Sequence, residues 1–214
     1  MLKFTKNEIR DLIIAFLVLS VAFAISNVKL DAHQFVSILP IVMVGVALGS
    51  LVHELGEKFV ATKYGYEAEF KAWPLGLLIA LASSFIGVVI ALPGSVFTND
   101  DNRDDEINGR IAIAGPMANM ILAVLFIVIA ALIFPLKTYS DVFTLIYLIC
   151  TVGFSVNSFL ATFNLLPLYT LDGTKILKWN AKIWIIIFAI SAIMLLSSIT
   201  IGAEKMVQLI ITGI

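Results

Sequence analysis

The 214-residue chain contains one cysteine, two histidines and six prolines, and only 14% of its residues are charged. A single cysteine, Cys150, can form no internal disulfide, so no cystine framework holds the fold. Fourteen Lys and Arg against fifteen Asp and Glu give a formal net charge of −1, which excludes a nucleic-acid-binding surface built on an overall positive field. Thirteen glycines and no internal repeat exclude a collagen-like chain, and the scarcity of charge excludes disorder. What is abundant is apolar surface. Hydrophobic residues make up 60% of the chain, against roughly 45–50% in soluble domains, and the mean hydropathy is +1.03. The chain therefore reads as an integral membrane protein, with residues 1–214 forming a single membrane-embedded domain.

A membrane-crossing helix needs roughly 20 mostly apolar residues. Five runs meet that requirement: residues 12–28, 36–60, 111–134, 142–163 and 184–201. A sixth, residues 73–92, is interrupted by Gly76, Gly87 and Ser83–Ser84 and is flanked by Pro74 and Pro93. The longest polar connection runs from Pro93 to Arg110. Lys3, Lys6 and Arg10 precede an apolar stretch containing Ala22-Phe23-Ala24, as in a signal peptide. The run continues nearly to a full span, so a retained first helix is the simpler reading.

The second run contains Val52-His53-Glu54-Leu55-Gly56-Glu57-Lys58. Ionisable side chains inside a span cost at least about 2.5 kcal/mol on insertion scales, so four together require a purpose. On a helix, His53 and Glu57 are one turn apart on one face. That spacing matches the zinc-helix pattern H-E-x-x-H, in which two ligands flank a glutamate base, except that the last position here is Glu. Standing alone, the motif also suits a helix end whose charges reach for headgroups.

Two further passages stand out. Gly115-Pro116 opens the long run after the polar loop, with Pro tolerated in a first helical turn, and Asn119 lies one turn inward, where its amide must find partners. Asn164-Leu165-Leu166-Pro167 closes the next run and leads to Leu171-Asp172-Gly173. That places a carboxylate at a helix break, which at membrane depth must be buried in protein or line a cavity.

With these three passages in this order, the chain resembles the site-2 protease family of intramembrane zinc metalloproteases, in its compact prokaryotic branch, over about residues 36–180. The resemblance implies that His53 and Asp172 are zinc ligands, that Glu54 is the general base, and that Asn164 stabilises the tetrahedral intermediate. Gly115, Pro116, Asn119, Pro167 and Gly173 would shape the site. The chain departs from the family at Glu57, where the family has His. His33 is about 30 Å up the helix from His53 and cannot replace it. Glu57 can itself bind zinc through oxygen, giving a His/Glu/Asp set of one Zn ion. The second anionic ligand makes the metal a weaker Lewis acid and opens the site to manganese or another divalent metal.

Charge placement selects a topology. If all six runs cross, eight Lys and Arg fall inside and six outside. If residues 73–92 enter and return, only Lys29, Lys137 and Lys205 of the fourteen lie outside, a clear positive-inside pattern. The same change brings Asp172 to the side of His53 and Glu57. The fold class expected is thus an all-α polytopic membrane protein. It has five or six transmembrane helices and a small β element or re-entrant segment between the motif helix and the Gly-Pro helix, with the site toward the cytoplasmic face. Alternation over residues 66–72 suggests a short strand, whose edge would recognise extended peptide backbone.

The remaining conspicuous residues read as support. The acidic stretch 99–106 is a solvated loop, and Cys150 a packed small side chain. Trp73, Trp179 and Trp184 suit the membrane interface, and Lys175, Lys178 and Lys182 suit anionic headgroups. The leading function is a metal-dependent endopeptidase acting on transmembrane or membrane-anchored protein substrates within the bilayer of the cell membrane, with no nucleic-acid partner. The alternatives are an inactive relative that binds membrane segments, motivated by Glu57, and an ion or proton carrier built on His53, Glu54, Glu57 and Asp172.

Overall fold

The computed structural model describes residues 3–28, 31–99, 104–168 and 171–213. Lys29, residues 100–103 of the acidic stretch (Arg103 among them), and Tyr169 and Thr170 of the last motif lie outside the described residues. In chain order the elements are α1 (Lys6–Val28), α2 (Ala32–Lys63), β1 (Ala68–Ala72), α3 (Pro74–Ser84), β2 (Gly94–Thr98), α4 (Asp105–Ala112), α5 (Ala114–Ile133), α6 (Asp141–Asn164), α7 (Asp172–Trp179), α8 (Ala181–Thr200) and α9 (Ala203–Thr212). A single 3-10 turn, Phe134–Leu136, ends α5.

Side-chain caps define several of the starts. Asp31 accepts from the His33 and Gln34 amides at the start of α2, Ser140 from Val142 N at α6, and Asn180 from Lys182 N and Ile183 N at α8. Pro116 falls in the first turn of α5, where a missing N–H costs nothing. Five helical stretches are long and apolar enough to cross a membrane: Lys6–Val28, Ala32–Lys63, Asp105–Leu136, Asp141–Asn164 and Ala181–Thr200.

The sixth apolar run behaves differently. Its helix, α3, has 11 residues and so rises about 16 Å, roughly half the hydrocarbon thickness. The chain then turns at Gly87, which has a φ of 85°, and returns without regular structure to β2. The strands pair antiparallel, from Ala68 opposite Thr98 to Ala72 opposite Gly94, and Trp73 N donates to Pro93 O at 2.8 Å. The two ends of the run therefore meet. The first strand begins at Ala68; Tyr66 and Glu67, expected to belong to it, precede it.

The outer edge of β1 is covered by α1. Glu8 Oε1 accepts from Phe70 N and Asp11 Oδ2 from Ala72 N, each at 3.1 Å. Glu8 also meets Lys58 Nζ at 2.5 Å in a buried ion pair, with the Lys58 ammonium 4.2 Å above the Phe4 ring. Removing one partner of a buried pair strands the other charge at a cost of about 3–5 kcal/mol. Glu8 thus ties α1, α2 and β1 together.

The interior is apolar between helices. Leu19 and Phe23 of α1 pack with Val42 and Val46 of α2 and Leu160 of α6. Cys150, as expected, is a buried side chain, packed with Phe126, Phe154 and Val207. Trp184 stacks on Phe188 with ring centroids 5.2 Å apart and donates to Leu165 O at 2.8 Å, so it holds α8 to the end of α6.

Candidate metal centre

The helical period of α2 places His53, Glu54 and Glu57 on a buried surface facing α5 and the start of α7. His53 Nε2 lies 3.9 Å from Glu57 Oε1. Asp172 reaches the same point because α6 ends at Asn164 and the chain breaks over Pro167 before α7 begins with Asp172 itself. Its Oδ2 is 3.3 Å from His53 Nε2. One ligand atom from each of His53, Glu57 and Asp172 lies within 4.8 Å of the others.

Two glycines make this approach feasible. A Cβ on Gly115 would collide with the His53 imidazole, and one on Gly173 with the carbonyls of Leu165 and Leu166. Pro167 is exposed in the break between the helices. Of the other residues singled out in the sequence, Pro116 lies in the first turn of α5, beside Gly115.

Asn119 fixes the imidazole. Its Nδ2 donates to Gly49 O at 3.0 Å and to Asn157 Oδ1 at 3.1 Å. With both amide hydrogens committed, Oδ1 is the atom that faces His53 Nδ1, at 2.7 Å, and the ring must donate from Nδ1. Nε2 then faces two carboxylates. The arrangement holds when Nε2 carries a second proton, making the ring an imidazolium, or when a metal ion takes that proton's place among the three groups.

The carboxylates carry the same signature. Glu54 Oε2 and Glu57 Oε1 are buried with no hydrogen-bond partner among the described residues, a costly condition unless a cation or substrate completes it. Two ligands at 2.0–2.2 Å from one ion can stand no more than about 4.4 Å apart; His53 meets that limit with both carboxylates, at 3.9 and 3.3 Å, and the two carboxylates stand within 4.8 Å of each other. One imidazole nitrogen with two carboxylate oxygens is a donor set for zinc or a comparable divalent ion. The residues present fit the metal.

Glu54 and Asn164 line the same cavity, of about 460 Å³, together with Gly94 and Ser95 of β2 and the adjoining Trp73 and Pro93. Asn164 Nδ2 donates to Leu160 O at 3.0 Å, which leaves its second N–H available.

Lys175 has a partner at the site: its Nζ meets Asp172 Oδ1 at 2.9 Å, one helical turn away. Burial alone would raise the Asp172 pKa, but the Lys175 charge and the hydrogen bond with His53 outweigh it and hold Asp172 below the usual carboxylate range. Lys175 answers in kind: burial lowers its pKa, yet Asp172 and Glu57 carry it above the usual amine range.

Two residues here were not assigned a site role from the sequence. The i, i+3 spacing of Asp172 and Lys175 was a readable signal. Asn157 left only a weaker one, a lone amide in an apolar run.

Two proteins of Methanocaldococcus jannaschii resemble the chain. One, named "Putative zinc metalloprotease MJ0611", is 38% identical over 186 residues, covering 86% of this chain and 91% of that protein. Another, named "Zinc metalloprotease MJ0392", is 26% identical over 172 residues, covering 80% of this chain but 41% of that longer protein. No family model matches the chain, and no solved structure matches it significantly.

Proposed function

The chain belongs to the family of the protein named "Putative zinc metalloprotease MJ0611", and from that premise we propose that it is an intramembrane metal-dependent endopeptidase. It cleaves transmembrane or membrane-anchored proteins near the cytoplasmic face of the cell membrane. The observation that carries the proposal is the convergence of His53, Glu57 and Asp172 within 4.8 Å, beside a buried Glu54 carboxylate, in a cavity bordered by a strand edge.

His53 Nε2, Glu57 Oε1 and Asp172 Oδ2 would hold the ion, which supplies Lewis-acid polarisation of a peptide carbonyl and a lowered pKa for water. Glu54 Oε2, buried and without a partner, accepts the proton of the attacking water and returns it to the leaving amine nitrogen as the C–N bond breaks. The uncommitted N–H of Asn164 hydrogen-bonds the developing oxyanion. Apolar walls around the cavity exclude bulk water and strengthen both interactions.

A substrate helix hides its carbonyls in its own hydrogen bonds, so it must unwind before cleavage. The sheet offers it new partners. Trp73 faces Pro93, and Asn99 N donates to Glu67 O, so alternation turns the backbone groups of Gly94 and Val96 away from β1. Glu8 and Asp11 occupy the outer edge of β1, which leaves β2 as the edge for an added strand. Orientation rests on the lysine and arginine distribution: with α3 re-entrant, three of the fourteen positive residues lie outside.

One observation favours a second reading. Glu57 in place of His adds negative charge to the ligand set, and an inactive binder of membrane segments would tolerate it. The test is cleavage of a membrane-spanning substrate in reconstituted vesicles, by wild type and by Glu54→Gln. Cleavage that a chelator stops, and that falls about 10²–10⁴-fold in Glu54→Gln with metal retained, supports the endopeptidase. Substrate binding without cleavage in the zinc-loaded wild type supports the binder.

A further inference from the structure

We propose that Asn157 is a positioning residue that sets the proton and the aim of the His53 imidazole from two side chains away. The inference rests on His53 being a metal ligand through Nε2. Asn157 and Asn119 are both fully buried, and their amides form one directional chain. Asn157 Nδ2 donates to Gly153 O at 2.9 Å and to Gly45 O at 3.3 Å. Its Oδ1 is thereby assigned as acceptor and takes the Asn119 Nδ2 proton at 3.1 Å. The second Asn119 hydrogen goes to Gly49 O, and Asn119 Oδ1 receives His53 Nδ1 at 2.7 Å.

Direction is what the chain transmits. Rotating the Asn119 amide by half a turn would set its oxygen against Gly49 O and Asn157 Oδ1 and its NH2 against His53 Nδ1. For amides this deeply buried each such mismatch strands a polar group. Without Asn157, Asn119 keeps only Gly49 O as a fixed acceptor and loses one of the two contacts that oppose rotation. The ring could then place its proton on Nε2, the atom that faces Glu57 and Asp172.

The backbone has been cleared for this amide. A Cβ on Gly49 would stand 2.8 Å from Asn157 Oδ1, and one on Gly45 would stand 3.1 Å from the Cα of Gly153. Gly45, Gly49 and His53 recur every fourth residue along one face of α2. Gly49 leaves room for the Asn157 amide, Gly45 lets α6 approach and its carbonyl accepts from Asn157 Nδ2, and His53 receives the result. Partners that orient ligating histidines commonly change metal affinity about 10–100-fold when removed.

The experiment uses protein labelled with 15N at histidine, with and without zinc, in wild type, Asn157→Leu and Asn157→Asp. Two histidines give two rings to assign, one of them His33. The expected result is a proton on Nδ1 of His53 in wild type. Asn157→Leu loses that preference, and its zinc affinity falls about 10–100-fold. Asn157→Asp keeps an acceptor for Asn119 Nδ2 and so keeps the wild-type ring, although it is less stable because it faces two carbonyls. A role in packing alone predicts that affinity follows stability in both variants while the ring is unchanged. A wild-type ring carrying its sole proton on Nε2 overturns the proposal without any variant. So does a folded Asn157→Leu with wild-type tautomer and affinity within about twofold. If wild type shows the Nδ1 proton yet binds no zinc, the endopeptidase reading fails while the relay stands as a purely conformational device.

Discussion

Asp172 Oδ2 lies 3.3 Å from His53 Nε2, although 119 positions separate the two residues in the chain. The contact requires a break after α6 that turns α7 inward, the absence of a Cβ at Gly173 and Gly115, and an imidazole held from behind by Asn119. Glu57 joins from one turn along α2. The result is a cluster of three potential ligands with one imidazole nitrogen and two carboxylates.

Substituting Glu57→His should strengthen zinc binding and raise proteolytic activity. An imidazole removes one negative charge from the ligand set, which makes a bound ion a stronger Lewis acid. Zinc competition titration and cleavage in vesicles check the two effects separately. Tighter zinc without any cleavage would favour the inactive binder.

Replacing Lys175 should tighten zinc binding, because its ammonium, seated on Asp172 Oδ1, repels a cation held at Oδ2 of the same carboxylate. We expect a gain of no more than about tenfold in Lys175→Met, since the side chain is 37% exposed and solvent screens it. Weaker binding would show that the lysine orients Asp172 instead. The pair also shapes stability of the metal-free protein. Its contribution is complete above the ordinary Asp value of 3.8 and below the ordinary Lys value of 10.5. It is lost as pH falls through the depressed Asp172 value or rises through the elevated Lys175 value. The stability difference between wild type and Lys175→Met should therefore be flat between those limits, as chemical denaturation at several pH values would reveal.

Cysteine introduced at Tyr66 or Ser95, in a Cys150→Ala background, should label from the same side of sealed vesicles. Ser95 pairs with Lys71, and the run between the strands closes on itself at Trp73 and Pro93. Opposite accessibility of the two positions would contradict the re-entrant reading and restore six crossings.

Much of this arrangement was legible in the sequence, for reasons that differ by element. The long helices declare themselves because apolar length alone distinguishes a potential span. His53 and Glu57 declare themselves because four residues make one helical turn. The lysine and arginine count suggested that the interrupted run 73–92 enters and returns, and the structure brings its two ends together at Trp73 and Pro93. Other relationships had no local signal. Glu8 and Lys58 pair across 50 positions, and neither residue type at a helix end implies burial. Five residues, Gly94–Thr98, form β2 because β1 is beside them. Asn157 is one amide in an apolar run, and its place behind Asn119 depends on how closely α6 approaches Gly49.

The most direct test of the central claim is the metal content of purified protein, compared among wild type, His53→Ala, Glu57→Ala and Asp172→Ala. The account predicts about one divalent ion per wild-type chain, with zinc the preferred metal, and loss of that ion in each of the three variants. Wild type that holds no divalent ion after exposure to zinc, or an Asp172→Ala variant that holds it as tightly as wild type, would contradict the shared site.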